Sequence, residues 1–242
     1  MEHSGYLDLH THILPGIDDG SSDWEETRQM LSMAYSQGVR TIVATPHNYP
    51  GHRQDSQRIL ELCAQADEMA KELDAGMQVL SGNEIYYREG IPREIREGRI
   101  FTLADSRYLL VEFHPNSSER HVLSGVRELT EEGFVPVVAH VERVRALFGN
   151  KIARQQALEL GCCFQANSQS LLGGRWDRLA RKLCKMIEEK EIHFLGSDCH
   201  NTRERLPVMA DTVKKLEKRV SKDRLIRLTA DNPAKFLRKE YL

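Results

Sequence analysis

Short apolar runs and longer amphipathic stretches alternate along the whole chain. Seven runs read as strands: Tyr6–His10, Thr41–Ala44, Gln78–Ser81, Tyr108–Val111, Val135–Ala139, Cys162–Ala166 and His193–Gly196. Between them the apolar positions shift to helical spacing. Met30, Leu31, Ala34 and Tyr35 recur in this way within a helix predicted from Glu25 to Gln37, with Asp23 as its cap and Gly38 as its stop. Further helices are predicted over Ser56–Leu73, Leu123–Glu132, Ile152–Leu160, Arg178–Glu189 and Glu204–Arg219. No internal repeat, low-complexity tract or flexible linker interrupts the pattern, so residues 1–242 read as a single domain. Repeated βα units of this length predict a barrel or a doubly wound sheet.

The polar residues favour the barrel. His10-Thr11-His12 follows the first strand and Asp198-Cys199-His200 follows the last. Residues i and i+2 of a strand point the same way, so each dyad aims two side chains at one spot. Other ligand types recur at the ends of intervening strands: Asp18 and Asp19, then His47, Glu84, Glu112, His140 and Glu142. The C-terminal ends of the strands are where barrel enzymes build their sites. Only the sixth strand, ending Gln165-Ala166-Asn167, offers no obvious ligand. A lone strand-end histidine is usually structural. Five of them beside several carboxylates predict a centre of two or three divalent first-row ions. His3, His52, His114, His121 and His193 fall outside the pattern and read as non-ligands.

Composition narrows the class. The chain is 40% hydrophobic and 29% charged, which suits a globular protein, and its net charge of −2 offers no argument for nucleic acid or a polyanion. No apolar run is long enough to insert into a membrane and no leader is apparent, so a cytoplasmic location is expected. The five cysteines, Cys63, Cys162, Cys163, Cys184 and Cys199, form no C-x-x-C pair and predict neither a disulfide framework nor a zinc finger. Alternation turns Cys199 away from its two ligand neighbours, so a catalytic thiol is not expected there.

Five segments carry a family resemblance: Asp8 to Gly20 (DLHTHILPGIDDG), Gln37 to His47 (QGVRTIVATPH), Gly82 to Tyr87 (GNEIYY), Ala139 to Arg143 (AHVER) and Ser197 to Asn201 (SDCHN). In these the chain resembles the PHP (polymerase and histidinol phosphatase) superfamily. It is most similar to the bacterial metal-dependent protein tyrosine phosphatases of capsule and exopolysaccharide synthesis. The resemblance implies an α/β fold, a distorted seven-stranded (β/α) barrel of PHP type, TIM-like, around three metal ions. His10, His12, Glu84 and Asp198 would hold the first; Glu84, Glu112 and His140 the second; Asp19, His47 and His200 the third. Asp19 rather than Asp18 matches the family spacing from His12. Manganese is the implied metal, with Fe, Co and Zn as alternatives. Arg143 and Arg205 match the phosphate-binding arginines, with Arg203 near the second of them.

The resulting expectation is metal-assisted hydrolysis of phosphotyrosine on a protein, a bacterial tyrosine kinase being the implied partner, without nucleic acid or membrane insertion. The oligomeric state is left open. A small-molecule phosphomonoesterase such as histidinol-phosphatase is the alternative; it would use the same ions in a narrower pocket.

Overall fold

The computed structural model describes residues 5–51, 55–174 and 176–242. The elements run β1 (Tyr6–Thr11), α1 (Trp24–Ser36), β2 (Val39–Ala44), β3 (His47–Asn48), α2 (Ser56–Leu73), β4 (Gln78–Ser81), β5 (Glu84–Tyr86), α3 (Ile91–Arg96), β6 (Tyr108–Glu112), α4 (Glu119–Glu131), β7 (Val135–Val138), α5 (Arg145–Phe148), α6 (Lys151–Glu159), β8 (Cys163–Asn167), α7 (Arg178–Glu188), β9 (Phe194–Gly196), α8 (Ala210–Leu216), α9 (Lys222–Ile226) and α10 (Asn232–Leu237). Each expected strand is present within a residue or two at its ends. The caps behave as the sequence predicts: the Asp23 carboxylate accepts from the Glu26 N–H at 2.9 Å, at the start of α1.

The result is a mixed α/β fold with a curled, wholly parallel sheet. The described residues form nine strands rather than the expected seven, in a β1-β2-β4 sheet and a β3-β5-β6-β7-β8-β9 sheet. The two extra strands are short continuations. Pro46 has no N–H, so the β2 ladder stops, and His47 and Asn48 resume it against Glu84 and Ile85. The first and last strands meet as well. The Asp198 N–H donates to the His10 carbonyl at 2.8 Å and the His12 N–H to the Cys199 carbonyl at 2.9 Å.

The expected helix over Glu204–Arg219 is shorter and begins at Ala210. The Asn201 amide oxygen accepts from the N–H groups of Arg203, Glu204 and Arg205, which makes a turn instead. Pro207 then blocks an early helix. This turn is what carries Arg205 to the strand ends.

Tyr108, Leu110, Val137, Cys163 and Phe194 pack in one buried apolar cluster. Alternation along β6 and β8 places Glu112, Gln165 and Asn167 on the same face, nearer the strand ends. The polar site thus stands on an apolar floor. No helix among the described residues is long and apolar enough to cross a membrane.

Candidate metal centre

Glu84, at the start of β5, is the hub. Its Oε2 lies 3.2 Å from His10 Nε2, 3.3 Å from His12 Nε2 and 2.9 Å from His47 Nδ1. Its Oε1 lies 2.9 Å from His140 Nε2. Glu112 Oε1 is 3.6 Å from the same His140 nitrogen. Asp198 Oδ1 is 3.5 Å from His10 Nε2 and 3.6 Å from His12 Nε2. Asp19 Oδ1 is 3.2 Å from His47 Nε2 and 3.4 Å from His200 Nε2. All nine expected ligands therefore converge. Donor atoms fall within 4.8 Å of one another in three groups: His12, Asp19, His47 and His200; His10, His12 and Asp198; His47, Glu84 and Glu112. These groups cut across the partition implied by resemblance, since His12 and His47 each belong to two.

The strand ends are bent to make this convergence. His140 has φ 30° and Asp198 φ 53°, both in left-handed territory that side-chain-bearing residues avoid. Such strain costs on the order of 1–3 kcal/mol per residue and persists only where the surroundings enforce it. Glycine supplies room elsewhere: a Cβ on Gly196 would lie 2.6 Å from His10 Cβ.

Residues outside the expected ligand set orient the ligands. The Asp18 carboxylate faces His12 Nδ1 at 2.8 Å and accepts the N–H of His47 at 3.0 Å, so it buttresses the cluster while Asp19 faces it. The sixth strand, which offered no ligand, supplies two amides. Gln165 Oε1 accepts the His140 N–H at 2.7 Å and lies 3.2 Å from His10 Nδ1. Gln165 Nε2 donates to Asn167 Oδ1 at 2.9 Å, and Asn167 Nδ2 donates to Asp198 Oδ2 at 2.8 Å. Partners of this kind hold a proton on the outer imidazole nitrogen and leave the inner lone pair for a metal. The signal was present in the sequence as polar residues on an otherwise apolar strand, but amides do not read as ligands.

The electrostatics fit cations. Burial works against charge on His12, yet Asp18 and Glu84 outweigh it and push its pKa up to about 10. Burial opposes ionisation of Glu84, but His10, His12 and His140 hold its carboxyl well below the usual range. Burial and the adjoining Glu84 raise Glu112. Burial, His12 and Arg205 lower His200 to about 4. His140 Nδ1 is buried with no protein hydrogen-bond partner, and Glu84 Oε2, His47 Nδ1 and His200 Nε2 are buried and approach one another or Asp19 without hydrogen-bond geometry. Orphaned buried lone pairs of imidazole and carboxylate are a donor set that suits divalent first-row metals.

Two arginines guard the mouth. Arg143 Nη2 lies 3.0 Å from Asp198 Oδ2, and Arg205 Nη2 donates to Asp198 Oδ1 at 2.5 Å. Arg205 also approaches Asp19 at 3.9 Å. Arg203 is exposed, and among the described residues the guanidinium pairs with Asp198 and Asp19 come from Arg143 and Arg205. Tyr49 stacks on His47 at 4.7 Å between ring centroids, and Tyr86 meets Tyr49 edge-on at 5.8 Å. Cys199 and Arg205 stand six positions apart, the C-x5-R spacing of cysteine phosphatases. Geometry separates them: Cys199 is fully buried in the apolar core, and burial and Asp8 push its thiol pKa far up. A thiol so placed is a poor nucleophile.

The expected non-ligands stay outside the cluster. His193 Nδ1 accepts the Phe164 N–H, His114 Nδ1 accepts the Asn116 N–H, and His121 packs on Tyr87 and Phe113. His3 and His52 lie outside the described residues.

Comparison with known proteins places this geometry. The family model for capsular polysaccharide synthesis, CpsB/CapC, matches residues 6–238. The tyrosine-protein phosphatase CpsB of Streptococcus pneumoniae is 32% identical over 237 residues, 96% of this chain and 98% of that protein. The tyrosine-protein phosphatase YwqE of Bacillus subtilis is 32% identical over 200 residues, 82% of this chain and 79% of that protein. A crystal structure from work on YwqE and CpsB, described as unique metal-dependent tyrosine phosphatases, superposes with a TM-score of 0.86 at 30% identity, covering 97% of this chain and 95% of that one. An amidohydrolase from Mycoplasma synoviae, at 14% identity and a TM-score of 0.62 over 98% of this chain and 88% of that one, shares the fold alone. The convergent cluster, the strand order and the full-length match agree: the chain belongs to the CpsB/CapC family of capsular polysaccharide synthesis proteins.

Proposed function

We propose that this chain is a metal-dependent protein tyrosine phosphatase whose substrate is a phosphorylated tyrosine kinase governing capsule or exopolysaccharide synthesis. The observation that carries the reading is Glu84, one buried carboxylate within 3.3 Å of nitrogens from four imidazoles. A buried carboxylate has no evident structural reason to gather four imidazoles, whereas one that would serve more than one ion does. The names of CpsB and YwqE, both tyrosine-protein phosphatases, support the substrate class over histidinol phosphate.

The ions are assigned to His10, His12, Glu84 and Asp198; to Glu84, Glu112 and His140; and to Asp19, His47 and His200. Three manganese ions are the proposed complement; the three donor groups, linked through His12 and His47, support closely spaced sites. Bound metals supply Lewis acidity to the phosphoryl oxygens and make a water acidic enough to attack near neutral pH.

The chain's own residues do the rest. Asp18 and Gln165 keep the His12 and His10 rings facing inward. Asn167 fixes Asp198. Arg143 and Arg205 rest on Asp198 in the protein alone, and both forks can turn to phosphoryl oxygens, where charge grows in the transition state. Tyrosine leaves as a phenolate, so no strong general acid is required. We read the two sheets as one interrupted barrel of seven staves, with β2 and β3 as one stave, β4 and β5 as another, and the β1 contacts with Asp198 and Cys199 closing the ring. One domain over residues 1–242 and a cytoplasmic location complete the proposal; five buried, unpaired cysteines suit a reducing compartment.

The test is turnover of a phosphotyrosine peptide, a phosphoserine peptide and histidinol phosphate, each with manganese and with chelator. Manganese-dependent preference for phosphotyrosine is expected. Preference for histidinol phosphate would replace the reading.

A further inference from the structure

Outside the metal centre, the largest unexplained feature is a cationic face on the flank formed by α7 and α8. Three shallow depressions adjoin there. Arg181 and Lys185 line both the first and the second, and Arg219 lines both the second and the third. Together their walls carry ten basic side chains and three acidic ones. The chain as a whole has a net charge of −2, so the remainder of the molecule is strongly acidic. Net charge over the whole sequence conceals this, because the fold gathers cations from segments far apart in the chain.

Six of the ten are engaged internally: Lys151 and Lys185 with Glu189, the buried Arg154 with Glu191, Lys182 over the Phe148 ring, and Lys215 and Arg219 on the Leu172 and Gly173 carbonyls; the other four are not. Arg178, Arg181, Lys214 and Lys218 have no side-chain partner among the described residues. Trp176 projects from the loop between β8 and α7 at 84% exposure and lines the middle depression. α7 buries its own apolar side, Ala180, Leu183, Met186 and Ile187, so its outward side is available without unfolding.

We propose that this face docks peripherally on an anionic lipid surface. A broad patch spanning several elements fits a planar partner better than a base-stacking groove, which would need more than one exposed aromatic ring. A protruding tryptophan beside lysine and arginine is the side-chain set that partitions to the headgroup layer. The acidic remainder of the molecule is repelled by the same surface, which fixes one orientation. In that orientation the Trp176 loop meets the lipid.

The experiment is co-sedimentation of the full chain with phosphatidylcholine vesicles and with the same vesicles containing phosphatidylglycerol, at low and high salt. Binding is expected only to the anionic vesicles and should fade with salt. Arg178→Gln with Arg181→Gln should weaken it about 30-fold, and Trp176→Ala should weaken it further. Turnover of a soluble aryl phosphate should be unchanged in both variants and reports that they are folded. Absence of binding to anionic vesicles, equal binding to neutral ones, or unchanged binding by the arginine variant would overturn the proposal. Tighter capture by a DNA duplex in competition would overturn the choice of lipid.

Discussion

Replacing Gln165 by Leu tests whether the sixth strand supports the metal centre. Gln165 is fully buried, and its amide serves three neighbours. It accepts the N–H of His140, faces His10 Nδ1 and donates to Asn167. Leucine fills the space but makes none of these bonds. An orphaned buried polar group costs about 1–3 kcal/mol, and the apolar gain of leucine offsets part of the sum. A net loss of about 3 kcal/mol is expected, which lowers the Tm of the metal-free protein by about 6–12 °C for a chain of this size. Loss of an orienting partner should also weaken metal binding by about 10–100-fold, since His10 and Asp198 become free to rotate. The assay pairs thermal unfolding of the metal-free chain with chelator competition for manganese. Turnover should recover partly at saturating metal. A fall in Tm with undiminished metal affinity would show that the amide only packs the interior. No change in either would mean that the Gln165–Asn167–Asp198 relay carries no energy.

Four further outcomes follow. Arg143→Ala should keep its metal content and lose about 10²-fold or more in kcat/KM, on the scale of one lost charge-stabilising donor, checked by elemental analysis and kinetics on one preparation. Cys199→Ala should retain most phosphotyrosine turnover despite the C-x5-R spacing, and a loss of several orders of magnitude in a folded, metal-loaded variant would revive a thiol mechanism. Gly196→Ala should distort the His10 position, because the added Cβ would sit 2.6 Å from His10 Cβ, and should lower metal affinity more than stability. Burial lowers His193 to about 4, so the unfolded chain takes up a proton first as pH falls; stability present above about 6.5 should drain away toward 4, and His193→Asn should flatten that slope in pH-dependent unfolding.

The order of strands and helices was legible because each long element repeats its pattern several times. β3 and β5, of two and three residues, are too short to show a period, and they carry His47 and Glu84. The ligand types were legible because imidazole and carboxylate at strand ends have few other reasons to recur. Asp18 and Asp19 were distinguishable by spacing alone only as alternatives; the structure gives them different jobs, one backing His12 and the other facing His47 and His200. Gln165 and Asn167 were overlooked because an amide binds no metal and declares its role only through a neighbour. The Glu204–Arg219 helix was over-long because charge and apolar spacing run through Pro207, while the turn held by Asn201 depends on one side chain. The cationic flank is a property of the fold, since α7 and α8 lie apart in the chain.

Glu84→Gln addresses the central claim most directly, because Glu84 touches four of the five candidate histidines. Manganese content by elemental analysis and turnover of a phosphotyrosine peptide should be measured on the wild-type and Glu84→Gln proteins, purified side by side. Two or three ions per wild-type chain are expected, with loss of more than one in the variant and loss of turnover that added manganese does not restore. Glu84→Gln with a full metal complement and wild-type turnover would contradict that claim.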